Sequence, residues 1–200
     1  MADEVNATDK GGNFTPHDEG QFAALCADVI NLGQRIEQFP GQPARIMDKC
    51  AVVFATDTEG ETKDVSVEFS VSMNEKANLR KFLESWRGKS YTEDEVDAGV
   101  PLHRMEGVAA LLGIEHKRSN KGRTYAKIVS ISRLPKGMKP PVLQAVYGAA
   151  GYKRAEFWAD RKKQYAEEAQ RWAHQQATTQ DGPPLDESQA DDGAEDDLPF

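Results

Sequence analysis

Between Val65 and Met73 the chain alternates without exception: Val65, Val67, Phe69, Val71 and Met73 are apolar, and Ser66, Glu68, Ser70 and Ser72 between them are polar. Successive side chains of a strand point to opposite faces, so this period of two predicts a strand with one face in a core and the other in water. A helix would scatter the same residues around its circumference. One half-buried strand is not stable alone, and the remaining sequence must supply its neighbours.

It does. QFAALCADVINLG (21–33) and ARIMDKCAVVFAT (44–56) precede it as strand-like runs, separated by QRIEQFPGQP, in which Pro40, Gly41 and Pro43 interrupt any regular ladder. After it, NEKANLRKFLESWRG brings Leu79, Phe82, Leu83 and Trp86 onto one face of a predicted amphipathic helix, with Asn74 as the expected N-cap and Gly88 as the expected C-cap. A polar connection leads to GVAALLGIEH (107–116) and RTYAKIVSISRL (123–134), two strand-like runs joined by the turn KRSNKG, which predicts a hairpin.

Three strands, a helix and two strands is the element order of the OB-fold, a five-stranded, partly open barrel that commonly binds oligonucleotides. The expected class is therefore mainly β, with this domain over residues 21–139 and a helix between strands 3 and 4. Residues 1–20, polar and without hydrophobic period, are expected to form a flexible arm. Residues 140–178 are expected to be a helical segment in which Trp158, Tyr165 and Trp172 recur every seven positions. That stripe can pack on the barrel, join a second copy as a homodimer, or lie against DNA beside Arg161, Lys162 and Lys163; packing or dimerisation is the favoured use. Residues 179–200 have the composition of a disordered acidic tail.

A net charge of −8 would argue against a nucleic-acid partner if it were evenly spread. It is not: residues 181–200 hold eight acids and no base, residues 1–20 hold five acids against Lys10, and residues 21–180 carry 24 bases against 20 acids. Within that middle region Lys117, Arg118, Lys121, Arg123, Lys127, Arg133, Lys136 and Lys139 fall in 23 residues with no acid among them. Such a hairpin can follow a phosphate backbone, and the loop between strands 4 and 5 is a usual binding element of OB-folds. A second set of cations, Arg45, Arg87 and Lys89, lies near aromatic residues or in the preceding strand.

Bases need flat partners, and each base stacked on an aromatic ring contributes about 1–3 kcal/mol whatever its identity. Phe39 in the first long loop, Tyr91 beside Arg87 and Lys89, and Tyr125 between Arg123 and Lys127 are the candidates for stacking. Trp86 completes the apolar stripe of its helix and is expected in the core instead. Together these features predict binding of single strands without sequence preference.

Features of an enzyme are weak. The four histidines are scattered without HxxxH or HExxH spacing, and Cys26 and Cys50 form no CxxC pair, so no metal, cofactor or disulfide is expected. The carboxylates of TEDEVD (Glu93, Asp94, Glu95, Asp97) could in principle hold Mg²⁺ for a nuclease, but a polar helix-initiating loop accounts for them better. No apolar run suggests a signal peptide or a membrane span, so a cytoplasmic protein, within a bacterial host cell, is expected.

The last residues, Glu195 to Phe200, combine acids, two apolar side chains and a proline, a suitable composition for a peptide that docks on a partner. Asp196, Asp197, Leu198, Pro199 and Phe200 resemble the C-terminal tip of bacterial single-stranded DNA-binding proteins. NEKANLRKFLESWRGKSYTEDE and GRTYAKIVSISRLPKG resemble a family of phage-encoded single-stranded DNA-binding proteins with an OB-fold core, a likeness covering roughly residues 21–138. What the resemblance implies is protection of single-stranded DNA in phage replication or recombination, with the tip recruiting replication and recombination proteins of host or phage. The block does not match the bacterial core residue for residue, so that family's tetramer and stacking aromatics do not carry over. The alternative is an adaptor whose barrel and tail bind proteins rather than DNA.

Overall fold

A computed structural model describes residues 16–38, 41–58, 61–119, 122–142 and 154–180 of the chain. The alternating runs form five antiparallel strands: β1 (Gly20–Glu37), β2 (Arg45–Thr58), β3 (Glu61–Ser70), β4 (Ala109–Arg118) and β5 (Thr124–Arg133). They make one sheet in the order β3-β2-β1-β4-β5. Among the described residues three helices accompany them: α1 (Asn78–Arg87), α2 (Glu93–Asp97) and α3 (Arg154–Gln180), with a short 3-10 turn at Leu102–Met105.

β1 organises the sheet because it is paired on both sides. Its first residues, Gly20 to Leu25, pair with Ile114 to Ala109 of β4, while Ala24 to Glu37 pair with Thr56 to Arg45 of β2. Register shifts between Cys26 and Asp28 and between Asn31 and Gly33 bend the strand, as an extra residue in one partner of a pair does. Gly33 takes a φ of 76°, open to glycine without steric cost. The strand thus runs four residues past the expected end at Gly33, because each bulge restores the inward and outward phase that a strict period of two would have lost. Residues 34–37, expected as loop, are strand.

Bending brings the ends of the sheet round, so that β3 and β5 approach each other. No ladder joins them among the described residues, and the sheet is open. α1 packs against both of these edge strands. Its Leu79, Leu83 and Trp86 enter a core with Cys26, Cys50, Val52, Phe54, Phe69 and Leu112 from the concave face. Phe54 is fully buried, with its ring 5.1 Å from that of Trp86 and 6.1 Å from that of Phe82. Trp86 is core as its helical period required, and its indole Nε1–H donates to Ala109 O at 2.9 Å. Gly88 caps the helix in the left-handed conformation, φ 68°. Asn74 does not cap it: the helix starts at Asn78 after Ala77, and the Asn74 side chain instead accepts from the Lys76 N–H.

The convex face of β1 and β2 is covered by α3. Trp158 and Tyr165, one heptad apart, are buried against Leu32, Ala51 and Val53. The Tyr165 hydroxyl donates to Glu68 Oε2 at 2.5 Å and accepts from Arg35 Nη1 at 3.2 Å, while Arg161 Nε donates to Glu68 Oε1 at 3.1 Å. Burial, reinforced by the hydrogen bond to Glu68, pushes the Tyr165 phenol up to about 12. Trp158 and Tyr165 of the aromatic stripe therefore serve packing, Trp172 is half-buried, and Arg161 is tied to Glu68 of β3 with its side chain still 38% exposed.

At the other end, residues 17–19 belong to the fold although the sequence places them in the arm. His17 is buried, with Nε2 2.6 Å from Thr56 Oγ1 and its ring edge-on to Phe22. Asp18 pairs with Lys63 at 2.8 Å, and Glu19 accepts from the His116 N–H. Residues 1–15 lie outside the described residues. No helix among the described residues is long and apolar enough to cross a membrane.

Candidate nucleic-acid interface

The hairpin of β4 and β5 turns through Ser119–Arg123, where the Ser119 N–H donates to Arg123 O at 2.8 Å and the Gly122 N–H to Ser119 O at 2.9 Å. Gly122 has a φ of 76°, so the reversal needs a residue without a Cβ. Its register sets Lys117 opposite Tyr125, Glu115 opposite Lys127 and Arg118 opposite Thr124. Ile114, Ala126 and Ile128 point to the core, so the alternation sends Lys117, Tyr125 and Lys127 together to the outward face. Directly opposed side chains stand about 4.5–5.5 Å apart at Cβ, close enough for one nucleotide to touch an ammonium and a ring at once. Tyr125 is 41% exposed. Arg118 and Arg123 are exposed at the turn, and Lys121 lies outside the described residues.

One residue of this face escaped the sequence reading. Glu115 sits opposite Lys127 and binds Lys117 Nζ at 2.5 Å. Its hydrogen bond and its charge hold the Lys117 ammonium above the usual lysine range. A phosphate reaching this face would compete with Glu115 for two cations. The signal was available: Glu115 and Lys117 are two apart in a strand and must share a face.

The second group of predicted residues lies elsewhere. α1 packs on β5, and a Cβ added at Gly88 would lie 3.4 Å from Arg133 Nε, at the far end of β5, nine residues from Thr124 and so about 30 Å along the strand from the turn. Tyr91 is buried in the core, with the Arg87 guanidinium 4.4 Å from its ring centroid. Arg87 in turn makes a two-pronged ion pair with Glu95. In this arrangement Tyr91 is buried beside the Arg87 guanidinium and Arg87 is engaged by Glu95; only Lys89 of the three is exposed. Tyr91 is drawn inward because it closes the core beneath α1, and this group lies apart from the outward face of the β4–β5 hairpin.

The TEDEVD carboxylates form α2. Thr92 and Glu95 make a capping box, each side chain accepting from the other's backbone N–H. The Arg87 guanidinium, followed by the Thr92 N–H, pulls the Glu95 carboxyl down to about 2. No cluster of three or more His, Cys, Asp or Glu placed to hold a metal occurs among the described residues.

Arg45 opens β2 opposite Glu37, at the β1–β2 turn end, and lines a cleft of about 580 Å³ with Lys49, Glu68, Ser70, Asn74 and Lys76. A smaller pocket of about 320 Å³ is walled by Leu83, Trp86, Tyr91, Met105, Val108 and Ala109, with Arg87 and Arg133 beside it. Phe39 and the tip residues Asp196, Asp197, Leu198, Pro199 and Phe200 lie outside the described residues. Comparison with known protein families and with curated proteins found no family model and no curated protein that matches this chain.

Proposed function

We propose that the chain is a non-catalytic, sequence-tolerant single-stranded DNA-binding protein of the phage type, acting in replication or recombination, and that its bent open sheet is an OB-fold. The carrying observation is the outward face of the β4–β5 hairpin, where Lys117, Tyr125 and Lys127 stand side by side next to a turn bearing Arg118 and Arg123. A ring among cations supplies stacking and phosphate neutralisation without reading base edges. The approach of β3 to β5, with α1 packed against both, supports the OB-fold reading, since a partly open barrel leaves its gap there. In this proposal residues 196–200 recruit replication and recombination enzymes, as the resemblance of the tip implies.

Equilibrium binding of a fluorescent oligo-dT and of a duplex of equal length, from low to physiological salt, tests the proposal. With four or five phosphates neutralised, log K for the single strand falls against log salt with a slope of about −3, taking about 0.7 per contact. Equal affinity for both forms, or a slope near zero, overturns it. The adaptor reading has one observation in its favour, the apolar pocket around Trp86 and Val108, which suits a peptide better than a nucleotide.

A further inference from the structure

Phe157 is a large apolar side chain of α3 that the sheet does not take. Trp158 and Tyr165 lie on the helix face packed against Leu32, Ala51 and Val53, and Phe157, one position before Trp158, is turned about 100° away from that face. It is 49% exposed, with its ring centroid 5.0 Å from that of Trp158 and the Arg161 guanidinium 6.0 Å from its own. These neighbours hold the ring, so little rotamer freedom remains to be lost when it is covered. A lone exposed apolar residue is ordinary. This one has exposed Glu156 beside it and exposed Asp160 one turn on, which makes it an aromatic anchor with acids about it.

A site of matching chemistry lies on the other side of the sheet. Where α1, the 3-10 turn and β4 meet, Val108 is 41% exposed and Met105 half-buried around the pocket of about 320 Å³, which has room for one large side chain with part of its neighbour. Arg133 stands exposed at its rim. Ring and pocket cannot meet within one chain, because α1 packs on the concave face and α3 on the convex face. We propose that the pocket walled by Trp86, Tyr91, Met105 and Val108 receives Phe157 of a second copy of this chain, with Asp160 of that copy facing Arg133. Donor and receiver are different surfaces, so the contact is head-to-tail and a third copy can add to the second in the same way. One ring and one ion pair make a small interface of the weak, transient class, with a Kd of about 0.1–1 mM. The inference does not depend on DNA binding by the hairpin.

The test mixes two forms of the full chain at about 1 mM. The donor form is isotope-free and carries a nitroxide at Gln164→Cys, an exposed position about two turns from Phe157. The receiver form is isotope-labelled and has no added cysteine. Cys26 and Cys50 are buried thiols pushed up by burial to about 12 and about 11, so labelling is confined to the introduced cysteine. The expected result is strong paramagnetic broadening of the Trp86 indole N–H and the Val108 and Arg133 amides of the receiver. Phe157→Ala in the donor abolishes it, the same substitution in the receiver alone does not weaken it, and Arg133→Glu in the receiver at least halves it. No broadening at the pocket, broadening that survives Phe157→Ala in the donor, or broadening lost whichever form carries that substitution overturns the proposal. Phe157 is half-exposed, so its variant keeps the test decisive should Arg133→Glu disturb β5.

Discussion

Replacing Tyr125 by Ala separates stacking from charge, and the structure sets the size of the effect. Tyr125 is 41% exposed, so only part of its ring is free to meet a base. That places its contribution in the lower half of the range for base–aromatic stacking, about 1–2 kcal/mol, or roughly 5- to 30-fold in Kd for oligo-dT. The salt slope should not change, because no cation is removed. Lys127→Ala should act the opposite way, with a slope shallower by about 0.7 and a smaller loss at high salt. Glu115→Gln should tighten binding at low salt, since the acid opposite Lys127 and bonded to Lys117 competes with phosphate. Fluorescence anisotropy over a series of salt concentrations reads affinity and slope together. A Tyr125→Ala chain with unchanged Kd, or one whose slope moves as much as that of Lys127→Ala, would refute the assignment of a stacking ring amid phosphate contacts.

Further outcomes follow from the packing. Phe54→Ala removes a fully buried ring at the meeting point of Trp86 and Phe82 and should cost about 3–5 kcal/mol in urea unfolding; a loss below 1 kcal/mol would mean the core is not built around it. Tyr165→Phe keeps the shape but withdraws the hydroxyl between Glu68 and Arg35, so it should destabilise by about 1.5–3 kcal/mol and loosen α3 by hydrogen exchange. Glu95 has a folded-state pKa of about 2, below its unfolded value, so the stability it adds is complete above about pH 4.5 and is lost as pH falls towards 2. Its carboxyl resonance should titrate near pH 2, and Arg87→Ala should move the midpoint up; a midpoint that stays in place would rule out the ion pair as the cause.

Much of the architecture was legible because strand and helix periods are local. Val65 to Phe69 alternate in sequence and alternate in space, and Leu79, Leu83 and Trp86 are buried because their spacing leaves them on one face of α1. The long-range partners of those faces were not legible. Nothing in QRIE shows that bulges at residues 27 and 32 keep β1 in phase to Glu37, because a bulge is defined by the strand opposite. Nothing in SYT shows that Tyr91 turns inward under Arg87 while Tyr125 turns outward, although both stand beside cations in the sequence.

The amino-acid order by itself determined the segregation of charge, with acids at both ends and eight cations from Lys117 to Lys139, together with the number, type and order of the five strands and α1. Both are properties of neighbouring residues. The tertiary structure alone decided which surfaces stay open: α3 covers the convex face of β1 and β2, Glu95 takes Arg87, and Glu115 stands between the lysines of the basic face that bears Tyr125. Openness and charge pairing depend on elements tens of residues apart coming together, and no period within one segment records that.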